Sequence, residues 1–192
     1  APEARGPAAQ KLEELPPELR RVLEALSEAN RDMVDVRARV SYERAIPLLD
    51  EVQRSRGNLI FKKPDRIALE LGKPRNEAVY TDGETWWVVD HEDEQVEIYE
   101  AAERGEGGQE TAFLDFGYGR GAEGVLKDYH VELLGTETAG EGEERETLYR
   151  LRFDPLPGQE RPPRYDAVEV EISDRRWLPH VLVLHESGGE II

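Results

Sequence analysis

From Val34 onward the chain alternates between apolar and polar residues. Val36, Ala38, Val40 and Tyr42 take every second place against Asp35, Arg37, Arg39 and Ser41, and a period of two puts them on one face of a strand. A further strand begins near Val52, and its strand-like end, Asn58 to Lys63, stops at Pro64. Arg66 to Leu71 alternates again, with Ile67, Leu69 and Leu71 opposite Arg66, Ala68 and Glu70. Val79 to Thr81, the pair Asp82-Gly83 and Glu84 to Val89 predict a hairpin, because a primed two-residue turn needs positive φ. Gln95–Tyr99, Tyr129–Leu134, Leu148–Phe153, Ala167–Ile172 and Val181–Leu184 read as later strands. The count approaches ten, and no βαβ rhythm interrupts it, so one large antiparallel sheet is expected.

Two helices break the pattern. Pro16-Pro17 suits a helix start, and Leu19, Val22, Leu23, Leu26 and Ala29 then form one apolar stripe to about Arg31, the face such a helix packs on a sheet. A second, short helix is expected from Ala122 to Asp128. Residues 1–13 read as a flexible lead-in to a single domain over 14–192. The glycine-, proline- and charge-rich stretches 100–110, 135–143 and 155–163 read as loops.

Composition narrows the function classes. Against 25 basic residues stand 42 acidic ones, a formal charge of −17, and that field opposes nucleic-acid binding and polybasic docking to anionic lipid. The absence of cysteine removes disulfide scaffolds, thiolate metal sites, cysteine nucleophiles and lipid anchoring through an N-terminal cysteine. No apolar run approaches the ~20 residues of a membrane-spanning helix.

The candidate chemistry is thin. Gly119-Arg120-Gly121-Ala122-Glu123-Gly124 matches G-x-G-x-x-G, but a dinucleotide site needs a parallel strand before it and a full crossover helix after it. Tyr129 resumes a strand too soon for that, so a glycine hinge is the better reading. His91, His130, His180 and His185 include no i, i+4 helical pair, and His180 and His185, five apart on a strand, should face opposite ways. No serine occupies a G-x-S-x-G elbow, and the many carboxylates name no acid-base pair. No catalytic residue, cofactor or metal site is expected. Trp86 and Trp87 are adjacent in a strand, so one faces each side. A sheet face wider than one short helix can cover offers room for an apolar ligand.

The motifs together resemble the LolA-type periplasmic carriers of outer-membrane lipoproteins. Gly57-Asn58-Leu59-Ile60-Phe61-Lys62-Lys63-Pro64-Asp65-Arg66-Ile67 is similar to that family's glycine-to-proline segment, and Thr81-Asp82-Gly83-Glu84-Thr85-Trp86-Trp87 to its tryptophan hairpin. Leu114-Asp115-Phe116-Gly117-Tyr118-Gly119 resembles a divergent branch in which such a motif precedes a lid helix. Trp177-Leu178-Pro179 and Glu186-Ser187-Gly188-Gly189 are similar to its closing strands.

The resemblance implies an α+β fold, a curved antiparallel sheet forming an incomplete β-barrel, with covering helices that make a lid over an apolar cavity. Acyl chains of lipoproteins would lie against Val36, Val40, Leu59, Phe61, Ile67, Leu69 and Leu71, with Trp87 and Val89 as further lining. Phe113, Leu114, Phe116 and Leu126 would form the underside of the lid. Lys63 stands where typical members carry an arginine that ties the lid to the barrel; lysine has no planar fork, so a weaker or different latch is expected. The implied function is a soluble, monomeric periplasmic shuttle, its signal peptide removed. It would take lipoproteins or other lipids from an inner-membrane releasing transporter to an outer-membrane acceptor, without catalysis. The acceptor in such systems is itself a lipoprotein, and a chain without cysteine fits the carrier better. A lipid- or lipoprotein-sensing module on the same scaffold is one alternative. A hydrolase of envelope polymer is another, for which the sequence names no candidate among its many carboxylates.

Overall fold

The computed structural model of the protein describes residues 8–46, 49–100, 121–158 and 165–186. Ten antiparallel strands and two helices follow in chain order: α1 (Pro17–Arg31), β1 (Asp35–Ile46), β2 (Glu51–Lys62), β3 (Arg66–Leu71), β4 (Glu77–Thr81), β5 (Thr85–Asp90), β6 (Gln95–Glu100), α2 (Ala122–Leu126), β7 (Tyr129–Ala139), β8 (Glu146–Pro155), β9 (Tyr165–Ser173) and β10 (Leu178–Glu186). The fold is α+β and its sheets do not close. The strands divide into two sheets rather than one, six in the order β1-β2-β3-β4-β5-β6 and four in the order β10-β9-β8-β7. The chain correspondingly forms two compact units. One holds the segment up to Asp32 together with α2 and the four-stranded sheet; the other begins at Met33 and holds the six-stranded sheet. Gly119, Arg120, the motif 114–119 and most of the expected loops at 100–110 and 155–163 lie outside the described residues.

In the first unit, α1 starts with Pro17 in its first turn, where a missing N–H costs nothing. Leu19, Val22, Leu23 and Leu26 are buried as their spacing predicts. Ala29 is not: it is exposed, and Asn30 takes the inward place. The Asn30 side chain tolerates this by donating to the Leu26 carbonyl at 2.8 Å. Ser27 Oγ accepts the Ala122 N–H at 2.9 Å and so ties α1 to the start of α2. The core of the four-stranded sheet is one face of alternating residues, with Leu151 opposite Val170 and Phe153 opposite both Val168 and Val131. All five are almost fully buried. At Leu133–Gly135 the register slips by one residue, and the extra residue, Leu134, is turned out to solvent.

The other face of that sheet is ionic. Arg152 reaches Asp154 at 2.9 Å and Glu169 at 3.6 Å, and Arg150 reaches Glu171 at 3.7 Å. His180 and His185 do not diverge as simple alternation predicts. Their Nε2 atoms lie 3.8 Å from Glu171 and 3.3 Å from Glu169, two carboxylates on the same face of β9. Exposed His180 and Val181 are neighbours in β10, so the two-residue period is interrupted between the histidines. Trp177 closes the β9–β10 turn with a left-handed φ of 51° and stacks on Tyr149 at 5.6 Å between ring centroids. Gln10 binds β7 twice, accepting the Val131 N–H at 2.7 Å and donating to the Val131 carbonyl at 3.2 Å.

In the second unit the β1–β2 pairing runs unbroken from Asp35↔Lys62 to Ile46↔Glu51. The β4–β5 hairpin forms, but not through a two-residue primed turn. Thr81 pairs with Trp86, leaving four residues in the loop. The Asp82 carboxylate holds it, accepting the backbone N–H groups of Thr85 at 2.9 Å and Glu84 at 3.0 Å. Those two bonds, Thr85 first, hold the Asp82 carboxyl below the usual carboxylate range. Gly83 supplies the positive φ, 101°.

Candidate functional site: an apolar face on the six-stranded sheet

Directly paired residues in antiparallel strands share a face, so the register defines the site row by row. The first row is Val36, Phe61, Ile67, Thr81, Trp86 and Tyr99. The second is Ala38, Leu59, Leu69, Val79, Val88 and Glu97, and the third Val40, Gly57, Leu71, Glu77, Asp90 and Gln95. From β1 to β5 the first two rows carry no charge. Leu59, Phe61, Ile67, Leu69 and Leu71 are buried, as are Val79, Thr81 and Trp86, while Val36 and Val40 on the outer strand are half-buried.

Seven of the nine expected lining residues are therefore on one face: Val36, Val40, Leu59, Phe61, Ile67, Leu69 and Leu71. Trp87 and Val89 are not among them. Trp87 pairs with Tyr80 and Ile98, and Val89 with Ala78 and Val96, all on the opposite face. Trp86 takes the inward position and is 2% exposed. The reason is parity. Five residues, 72–76, join β3 to β4, and that length brings Leu69 opposite Val79; Val79 then shares its face with Val88, and Thr81 with Trp86.

Gly57 explains the first residue of the glycine-to-proline segment. A Cβ built there would stand 1.9 Å from the Glu70 carbonyl oxygen, so no side chain fits while β2 and β3 stay paired. Lys63 follows β2 directly; its backbone N–H donates to the Val34 carbonyl at 2.9 Å and its side chain is half-buried. Leu126 is buried in α2, in the other unit, with Ala122 and Val125. Phe113, Leu114 and Phe116 lie outside the described residues.

The third row ends in a polar cluster that the pattern of the sequence did not expose. Arg75, from the β3–β4 loop, places Nη2 3.1 Å from Glu77 Oε2, and both side chains are largely buried. Its guanidinium also lies over the Tyr42 ring, 5.8 Å from the centroid, and its backbone N–H donates to Ser55 Oγ at 3.0 Å. Beside it the Asp90 carboxylate accepts the N–H groups of Asp93 and Glu92 at 3.0 and 2.8 Å. These two bonds, with smaller help from Arg75, hold its carboxyl below the usual range. A buried pair of this kind is stable only with such additional hydrogen bonds. The face is thus uncharged across its first two rows from β1 to β5 and ionic along its third row. Among the described residues no cluster of three His, Asp or Glu side chains could hold a metal.

The strands thus form an unclosed antiparallel sheet with one uncharged block of paired residues across β1 to β5. The family model described as outer membrane lipoprotein carrier protein LolA matches residues 47–135, and the resemblance carried by the motifs is borne out across that stretch. No curated protein matches the chain. Among solved structures, the chain is similar to a LolA superfamily protein from Nitrosomonas europaea, at 18% identity, 90% coverage of this chain, 73% of that one and a TM-score of 0.41. It is also similar to an outer membrane lipoprotein-sorting protein domain from Vibrio parahaemolyticus, at 12% identity, 90% and 73% coverage and a TM-score of 0.46. A third likeness, at 14% identity, 94% and 91% coverage and a TM-score of 0.34, is to a chain of the Clostridioides difficile complex of the CwlD amidase with the GerS lipoprotein. Among the described residues no helix is long and apolar enough to cross a membrane.

Proposed function

We propose that the chain is a periplasmic carrier of acyl chains, binding lipoproteins or other lipids on the apolar face of β1–β5 and moving them between membranes. The observation that carries this reading is the uncharged block formed by the first two rows. Five strands contribute to it, and its members, apolar except for Thr81, stay in register from β1 to β5. The physical need is large. At about 0.8 kcal/mol per CH₂, a sixteen-carbon chain costs roughly 12 kcal/mol to expose to water, so lipid does not cross an aqueous compartment unaided. A carrier that binds one chain must also release it, which requires a cover that opens for a few kcal/mol.

In this reading residues 14–192 work as one monomeric carrier domain without catalysis. It takes cargo from an inner-membrane releasing transporter and delivers it to an outer-membrane acceptor. Phe113, Leu114, Phe116 and Leu126 serve the lid, and Lys63 its latch. The match of the LolA carrier model to residues 47–135 supports the cargo class, since that stretch spans β2 to β6 entirely.

The test is gel filtration without detergent, using a triacylated peptide and its unacylated twin. Co-elution of the acylated peptide alone is the expected result. If neither co-elutes, the carrier reading fails and a sensing module on the same scaffold becomes the better account.

A further inference from the structure

The second face of the six-stranded sheet has a charge opposite to that of the chain. On β1, β2 and β3 it carries Arg37, Arg39, Arg54, Arg56, Lys62 and Arg66 against Asp35, Glu43 and Glu70. This is two cations per carboxylate in a chain whose ratio is 25 to 42. All six cations are exposed. Arg54 is paired with Glu43 at 2.7 Å, whereas Arg37, Arg39, Arg56 and Lys62 make no ion pair among the described residues. The same face continues into apolar residues. Ile60, Val96 and Ile98 are 42%, 54% and 64% exposed, and Tyr80, Trp87 and Val89 are half-buried beside them.

We propose that this arginine-rich face is a docking surface for an acidic protein partner, seated on the Trp87–Ile98 patch and read by Arg37, Arg39 and Arg56. Three observations select a protein over an anionic bilayer. Five of the six cations are arginine, whose planar fork matches carboxylates and which is enriched at protein interfaces where lysine is depleted. Arg37 lies in one row with Ile60, Ala68, Tyr80, Trp87 and Ile98, so one face carries arginines at its β1–β2 end and aromatic residues at its β4–β5 end, both enriched at protein interfaces. The third is magnitude. A cation near an anionic leaflet gains roughly fivefold in partitioning, so the net of three on these strands gives on the order of a hundredfold. The remaining surface of a chain at −17 meets more anions at a bilayer, whereas a protein partner can confine its carboxylates to the matching patch. Six strands at ~4.8 Å spacing make the face broad enough for a standard interface. The surface lies across the sheet from the apolar rows, so its partner need not compete with cargo. The proposal does not depend on what the cargo is.

The test uses the full chain and three probes: a labelled peptide of repeating Glu-Leu-Asp-Tyr units, its Gln-Leu-Asn-Tyr twin, and phosphatidylglycerol vesicles. The acidic peptide is expected to bind and the twin not. Arg37→Gln/Arg39→Gln/Arg56→Gln should weaken binding at least tenfold. Arg145→Gln/Arg175→Gln/Arg176→Gln, at exposed positions outside the face, should leave it unchanged, with both variants keeping the wild-type circular dichroism. Equal loss in the two variants reduces the effect to net charge and overturns the proposal. Failure of the wild type to bind the acidic peptide also overturns it. Binding to vesicles alone overturns it in favour of a lipid surface.

Discussion

Two buried residues test whether the apolar rows bind a ligand, as proposed, or form an ordinary core. Leu69 lies in the second apolar row, while Phe153 is packed between Val131 and Val168 and is 1% exposed. Phe153→Ala should cost about 3–5 kcal/mol, read as a lower urea midpoint, because the cavity it leaves cannot collapse. Leu69→Glu should leave soluble, folded protein and abolish co-elution with an acylated peptide. An insoluble product would mean that Leu69 is packed as Phe153 is. Asp82 makes a prediction of another kind. Its carboxyl is held low in the folded state by the Thr85 and Glu84 N–H groups. The stability it contributes is therefore present above its unfolded pKa, near 3.9, and is lost as pH falls through the lower folded value. Asp82→Asn keeps an acceptor oxygen for the loop but cannot titrate. Its urea midpoint, followed downward from pH 5, should fall less steeply than that of the wild type.

Elements were more legible than their pairing. β3 runs from Arg66 to Leu71, as its alternation predicts, and α1 runs from Pro17 to Arg31, as its proline and apolar stripe predict. What alternation does not carry is parity across a loop. Trp86 and Trp87 are equally good strand residues, and only the five-residue connection 72–76 decides which one turns inward. The Arg75–Glu77 pair was hidden for a related reason: two charges beside a prolyl turn read as surface until the loop folds them over Tyr42 and Ser55. The division into two sheets was equally invisible, because strands of both sheets alternate in the same way. Gly57 was visible as a motif, but its reason was not. Since a Cβ there meets the Glu70 carbonyl oxygen, Gly57→Ala should destabilise by about 1–3 kcal/mol. Gly135→Ala, where a Cβ meets nothing within 4 Å, should cost far less. Tryptophan fluorescence in urea compares the two, and similar midpoints would contradict the close approach of β2 and β3.

For the molecule as a whole, the dominant long-range force is self-repulsion at −17. Raising ionic strength from 0.01 M to 0.1 M shortens the screening length from about 30 Å to about 10 Å. The thermal midpoint should therefore rise with salt over that range, and a fall would place local ion pairs above the net field. The excess charge also keeps copies of the chain apart, but it acts without direction and fades in salt. A directional safeguard is the double hydrogen bond of Gln10 to Val131. β7 is the outer strand of its sheet, and at Val131 the side-chain amide supplies the donor and acceptor that an adjoining strand would offer. A free outer strand is a template on which another molecule can add by backbone bonding, the first step toward aggregation. One side-chain amide occupies that template in the folded chain. Gln10→Ala would leave the core untouched, yet make shelf life in concentrated, salty solution the property most changed.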